Sequence, residues 1–311
     1  MTGAGGKAEL AKQARRHLDR LAKERGVEPQ RLHSEYAVER LLYRLGISVH
    51  AGDFVLKGAT VLRLWTPSAS RATWDLDLLG RGSSAVGDVL ARLREVAALE
   101  AEDGIVFAVE SMSAEEIRAA DEYGGVRVRG IAQLGPARIP IQVDVGFGDA
   151  VLPPPEFAEL EALAKEPPPK VLVYPKEVVV AEKLEAVVSL GMLSSRMKDF
   201  YDLDLLARGC EFDGERLLAA VRATFARRGT PLPADLPVAL RHESLALPER
   251  AAQWRAFAKR SRLPAPDVAA LATHLAEFIA PLLARGASAQ GFPHTWPAGG
   301  PWTPSPPGKL P

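Results

Sequence analysis

The residues of this chain best suited to chemistry stand in two short runs. They are Lys57-Gly58-Ala59-Thr60 and, after a polar stretch containing Pro67, Trp74-Asp75-Leu76-Asp77-Leu78. On a strand alternate side chains share a face, so Asp75 and Asp77 point one way and Trp74, Leu76 and Leu78 the other, toward a core. Two carboxylates so close repel each other unless a cation sits between them. Hard oxygen ligands of this kind suit Mg²⁺, with Mn²⁺ as a substitute, because Mg²⁺ also takes waters and substrate phosphates. A glycine turn that opens a helix at Gly58–Thr60 presents backbone N–H groups to phosphate, and the Thr60 hydroxyl can join them. The pattern predicts a nucleoside triphosphate held against a divalent metal.

A third carboxylate lies in Ile141-Gln142-Val143-Asp144-Val145-Gly146-Phe147, where Asp144 faces away from Val143 and Val145. If this strand neighbours the first, Asp75, Asp77 and Asp144 converge on one or two metals, the arrangement metal-assisted phosphoryl or nucleotidyl transfer needs. Rival chemistries are poorly provided for. His17, His33, His50, His242, His274 and His294 are scattered without metal-ligand spacing, and no G-x-S-x-G elbow occurs near the motifs. Downstream, Lys183 and Glu185 read by themselves as exposed helix residues. Arg196, Lys198, Asp199 and Asp202 likewise read as surface ion pairs worth well under ~1 kcal/mol each.

The elements that must position these residues follow from periodicity. Residues 7–46 carry apolar positions at helical spacing, broken at Gly26–Pro29, with Lys12, Arg15, Arg16, Arg20, Lys23 and Arg25 opposite the apolar stripe. Short apolar runs then predict strands at 54–56, 76–79, 105–109, 125–131 and 139–145, with a helix over 86–98. The alternation Val126-Arg127-Val128-Arg129 predicts one wet sheet face. Two proline triplets, at 153–155 and 167–169, flank a segment whose residues 156–164 predict a surface helix. Helices follow at 178–190, capped by Gly191, from 194 or 195 onward, and over 214–228, 247–259 and 265–284. The fold class expected is α+β, a mixed-sheet lobe with flanking helices plus a helical C-terminal lobe. Its divisions are a helical segment 1–50, a core lobe 51–175, a helical lobe 176–286 that completes the site, and a Pro/Gly-rich tail 287–311 that Trp296 and Trp302 can anchor.

Composition narrows the classes. The chain has 311 residues, 47% hydrophobic and 25% charged, and a formal net charge of zero. A polyanion site must therefore be a local patch. The single cysteine, Cys210, excludes an internal disulfide or a cysteine-rich zinc site and fits a reducing compartment. No stretch approaches the length of an apolar span and no secretory h-region is present, so the expectation is a cytoplasmic protein without a membrane partner.

Taken in order, the motifs resemble the AbiEii/AbiGii family of nucleotidyltransferase-like toxins, within the DNA polymerase β-type nucleotidyltransferase superfamily. The resembling stretches are Phe54-Val55-Leu56-Lys57-Gly58-Ala59, Arg71-Ala72-Thr73-Trp74-Asp75-Leu76-Asp77-Leu78-Leu79, Ile141 through Asp149, Tyr174-Pro175 through Ala186, and Ser195-Arg196-Met197-Lys198-Asp199-Phe200-Tyr201-Asp202-Leu203. The resemblance spans about residues 30–210. It implies a nucleotidyltransferase-type sheet lobe with Gly58 in the triphosphate turn and Asp75 and Asp77 as metal ligands. Lys183 is implied to reach the nucleotide phosphates, Asp199 to be a further catalytic-site acid with Asp202 on the same helical face, and Lys57, Arg71 and Arg196 to neutralise phosphate charge. Ala59 departs from the superfamily, which usually has a second glycine or a serine there. Asp144 matches the superfamily's third carboxylate, a position these toxins do not all use.

The function so implied is the toxin of a toxin–antitoxin pair, transferring a nucleotide from NTP to an RNA acceptor, the tRNA 3′ end in some relatives. Its partners would be NTP, RNA and a cognate antitoxin. Two alternatives keep the fold: nucleotidyl transfer to a protein or small molecule, and a nucleotide sensor without turnover.

Overall fold

Alternation and apolar runs decide the first half of the chain. The computed structural model describes residues 4–66, 75–117, 124–193, 196–261, 264–288 and 290–306. The chain divides into two compact units, the first made of the described residues within 1–64, 72–148 and 156–173, the second of those within 65–71, 149–155 and 174–311.

The first unit begins with two helices, α1 (Ala4–Arg25) and α2 (Pro29–Ile47). There follow β1 (Phe54–Lys57), the single turn α3 (Gly58–Val61) with a 3-10 turn over Leu62–Leu64, and β2 (Asp75–Gly80). Then come α4 (Val86–Ala98), β3 (Ile105–Ile117), β4 (Gly125–Leu134), β5 (Ala137–Phe147), β6 (Glu156–Glu159) and β7 (Lys170–Val173). The seven strands form one mixed sheet in the order β3-β4-β5-β2-β1-β7-β6. The β2–β5 and β1–β7 pairs are parallel and the rest antiparallel. Leu56, Leu76, Leu78, Val126, Val128, Val143 and Val145 are buried on one face. Against the sheet, α2 packs on β5 and β7, and α4 on β3 and β4. The fold class is that read from the sequence.

Between the proline triplets the expected helix is a strand. Residues 156–159 pair antiparallel with β7, and the Leu160 N–H continues the pairing to the Pro169 carbonyl at 2.9 Å. Leu160 and Leu163 are buried, and the Leu163 N–H donates to Glu39 at 2.8 Å. The free sheet edge at β7 outcompeted a helix too short to stabilise itself.

The second unit contains α5 (Lys176–Leu190), α6 (Met197–Gly209), β8 (Phe212–Asp213), α7 (Gly214–Arg227), α8 (His242–Leu245), α9 (Pro248–Ser261) and α10 (Val268–Gly286). Gly191, at φ 52°, ends α5 as its sequence predicts. By length and composition α10 is the one helix among the described residues that could cross a membrane. Its Leu271, Leu275, Phe278, Ile279 and Leu282 are buried within the protein. Residues 290–306 are ordered structure. β9 (His294–Trp296) and β10 (Thr303–Pro304) join β8 in a three-stranded sheet. Trp296 is fully buried and donates to the Ala207 carbonyl at 2.7 Å, and Trp302 donates to that of Phe278 at 2.9 Å.

Candidate active site

Strand register assembles a polar row across the first unit's sheet. Directly opposed residues share a face, and Lys57 of β1 stands opposite Asp77 of β2. Asp77 stands beside Asp144 of β5, Asp144 opposite Arg127 of β4, and Arg127 opposite Glu115 of β3. A second row, two residues along, holds Asp75, Gln142, Arg129 and Ser113. Asp75 and Asp77 thus lie on one face, with Asp144 in the neighbouring strand, as expected from alternation.

Gly58 makes the row possible at its left end. Its φ is +70°, and a Cβ there would collide with the Asp77 carboxylate. The backbone of the turn therefore lies directly against Asp77, and any other residue would push the two apart. Lys57 reaches across the same face to β5, where its Nζ would meet a Cβ on Gly146 at an ordinary contact distance of 3.6 Å. Ala59 and Thr60 are buried. α3 is a single turn, so it could offer a phosphate the N–H groups of the turn but little helix dipole. Arg71 lies outside the described residues.

Asp144 has a partner the sequence did not reveal. Arg127 grips it with both arms, Nε to Oδ1 at 2.8 Å and an Nη to Oδ2 at 2.6 Å. The hydrogen bonds that Arg127 donates to Asp144, reinforced by the charges of Asp144, Asp75 and Glu115, outweigh burial and hold the guanidinium pKa above its ordinary value. The alternation around Arg127 was legible as a wet face, but its register against Asp144 is tertiary information. Among the described residues no group of three or more His, Cys, Asp or Glu forms a metal cage. Asp75 and Asp77 remain a pair of hard oxygen donors beside a backbone turn. That set fits Mg²⁺, which is bound through one or two carboxylates and completes its shell with water and phosphate.

The second unit gathers the other expected residues. Lys183 on α5 bonds Asp202 Oδ2 at 2.6 Å and Asp199 Oδ1 at 3.2 Å, both on α6. Arg196 Nε lies 2.7 Å from Asp199 Oδ2. The side chains of Lys183, Asp199 and Asp202 are only 11%, 3% and 0% exposed. They are not the surface ion pairs that their sequence alone suggests. Next to them on α5, Glu182 and Glu185 face Arg228, which bonds Glu185 at 2.6 Å and approaches Glu182 at 3.5 Å and Asp149 at 3.7 Å. Tyr174 donates to Asp149 at 3.2 Å, and burial, then the Glu182 and Asp149 charges, push its hydroxyl pKa up. Arg228 is distant in sequence from any motif, and only packing reveals its association with Asp149.

The family described as "Nucleotidyl transferase AbiEii toxin, Type IV TA system" matches residues 40–277. The chain belongs to the AbiEii family. It is therefore a nucleotidyltransferase of the toxin half of a toxin–antitoxin system, as its motifs implied, with a nucleotide as substrate and a cognate antitoxin as partner. Two crystal structures from Helicobacter pylori align with it. JHP933 is 17% identical, with a TM-score of 0.49 over 84% of this chain and 94% of its own. A protein described as a candidate nucleotidyltransferase is 18% identical, with a TM-score of 0.49 over 84% of this chain and 97% of its own. At that distance they add nothing to the AbiEii assignment. No curated protein matches the chain.

Proposed function

We propose that this AbiEii-family protein transfers a nucleoside monophosphate from NTP to an RNA acceptor, the 3′ end of tRNA, with Mg²⁺, and so arrests translation and growth in the cytoplasm. The observation that carries the metal–triphosphate part is the packing of the Gly58 backbone against Asp77, with Asp75 on the same sheet face. Asp75 and Asp77 would hold Mg²⁺, which when bound lends Lewis acidity to the phosphates. The N–H groups of the Gly58 turn and the Lys57 ammonium receive phosphate oxygens and fix the triphosphate for in-line attack. An RNA hydroxyl oxygen bonds to the α-phosphorus, the α–β bridging bond breaks, pyrophosphate leaves with the electron pair, and the hydroxyl proton passes to solvent. Family resemblance supports a charge-neutralising role toward the phosphates for Lys183 and a supporting acid role for Asp199. Arg196 and Asp202 would steady that pair, and Arg71 would add phosphate charge neutralisation.

The test is direct. Purified protein is incubated with each α-labelled NTP, Mg²⁺ and total tRNA or total protein, with Asp77→Asn as control. Label on tRNA, absent in the variant, is expected. Label on protein alone would replace the acceptor, and nucleotide binding without transfer would replace the reaction.

A further inference from the structure

A strongly basic element stands apart in sequence from the carboxylate row. α1 carries seven lysines and arginines against three acids, a net charge of +4 in a molecule whose formal charge is zero. The three acids are engaged: Asp19 with His33 at 2.9 Å, Glu24 with Arg20 at 3.8 Å, and Glu9 with Gln13 at 3.2 Å. Lys12, Arg16 and Lys23 are exposed and have no carboxylate partner among the described residues. At 3.6 residues per turn they fall within about 40° of one another and span about 16 Å of helix.

A further cation stands beyond the helix, near where the β4–β5 turn packs against α1. The Arg15 stem packs at the β4–β5 turn, its Cδ 3.8 Å from where a Cβ on Gly135 would stand. Three residues on, Arg138 is exposed and also without a carboxylate partner among the described residues. Arg138 lies on the same strand and the same face as Asp144, about 20 Å away at 3.3 Å per residue.

We propose that Lys12, Arg16, Lys23 and Arg138 form a docking surface for the RNA backbone, holding the acceptor at a distance of several nucleotides from its reacting end. The choice of RNA as occupant rests on the acceptor reading above; the charge geometry does not. Unpaired cations in a row on a rigid helix release counterions when they meet phosphates, whereas the molecule as a whole offers a polyanion no net attraction.

The experiment measures binding of a tRNA transcript to the full-length protein by filter retention over a range of KCl, without NTP. The variant carries Lys12→Gln, Arg16→Gln, Lys23→Gln and Arg138→Gln, all exposed positions, so its melting temperature should match the parent. Its affinity at low salt should fall tenfold or more, and its log K against log salt slope should flatten by about 3, near 0.7 per lost phosphate contact. Arg16→Lys with Arg138→Lys, in a chain that keeps Lys12 and Lys23, should hold the parental slope. Transfer to a trinucleotide acceptor should be unchanged while KM for whole tRNA rises. An unchanged slope, or loss of antitoxin binding with RNA binding intact, overturns the proposal. If the parent binds tRNA with the steeper slope but labels only protein, the docking surface stands and the acceptor reading falls. If it labels tRNA and the slope does not move, the reverse holds.

Discussion

Asp77 and Asp144 sit side by side in adjacent strands, yet their surroundings differ. The Gly58 backbone lies against Asp77, while both oxygens of Asp144 are taken by Arg127. Metal binding should therefore discriminate between them. Titrated with Mn²⁺ and followed by electron paramagnetic resonance, Asp77→Asn should lose affinity by tenfold or more. Asp144→Asn should stay within a few-fold of the parent, and an equal loss in both would return Asp144 to the ligand set. At this scale the sequence was half legible. Alternation alone put Asp75 and Asp77 on one face and Asp144 on the polar side of its strand. It could not supply Arg127, because a residue's cross-strand partner depends on register, and register is settled by packing over the whole sheet.

Helix pairing changes how Lys183 should be tested. It stands between α5 and α6 with two nearly buried carboxylates, so Lys183→Ala removes the ammonium that both Asp199 and Asp202 bond, although Asp199 keeps Arg196. Removing one member of a buried pair costs about 3–5 kcal/mol. Urea unfolding of Lys183→Ala should show a loss of that order, and Lys183→Met with Asp202→Leu should recover most of it. A loss below ~1 kcal/mol would show that the cluster contributes little to the fold. A failure of Lys183→Ala to arrest growth must accordingly be read beside its stability. A second element-scale link joins the α2–β1 connection to α4 through His50, whose two ring nitrogens lie 2.8 Å from Asp53 and 2.8 Å from Glu95. Burial alone would lower the His50 pKa, but hydrogen bonds to Glu95 and Asp53 outweigh it and raise it. The folded state thus prefers the protonated ring. Its contribution is complete below the unfolded value near pH 6.5 and is lost as pH rises through the raised folded value. Denaturation at pH 6 and pH 8.5 should show the parent losing more stability than His50→Asn, and equal losses would remove His50 from the pH dependence.

For the molecule as a whole, the sequence located most elements and misjudged what only long-range pairing decides. Helices such as 86–98 were legible because their apolar period is local. The strand at 156–159 was not, since its hydrogen-bond partner lies across a proline-rich loop. The last segment has no periodicity to read, and only its two tryptophans marked it as anchored: Trp296 is buried against α6 and Trp302 bonds α10. Trp296→Ala should cost about 3–5 kcal/mol in chemical unfolding, as for large aromatic truncations in a core, and a cost under ~1 kcal/mol would make the segment an appendage. The balance of charge has a consequence at the bench. A chain isoelectric near pH 7.0 is expected to pass through a cation exchanger at that pH. Because α1 concentrates its surplus of positive charge on one rigid surface, this protein should instead be retained on phosphocellulose at pH 7 and elute with moderate salt. The form with Lys12, Arg16, Lys23 and Arg138 changed to glutamine should emerge in the flow-through.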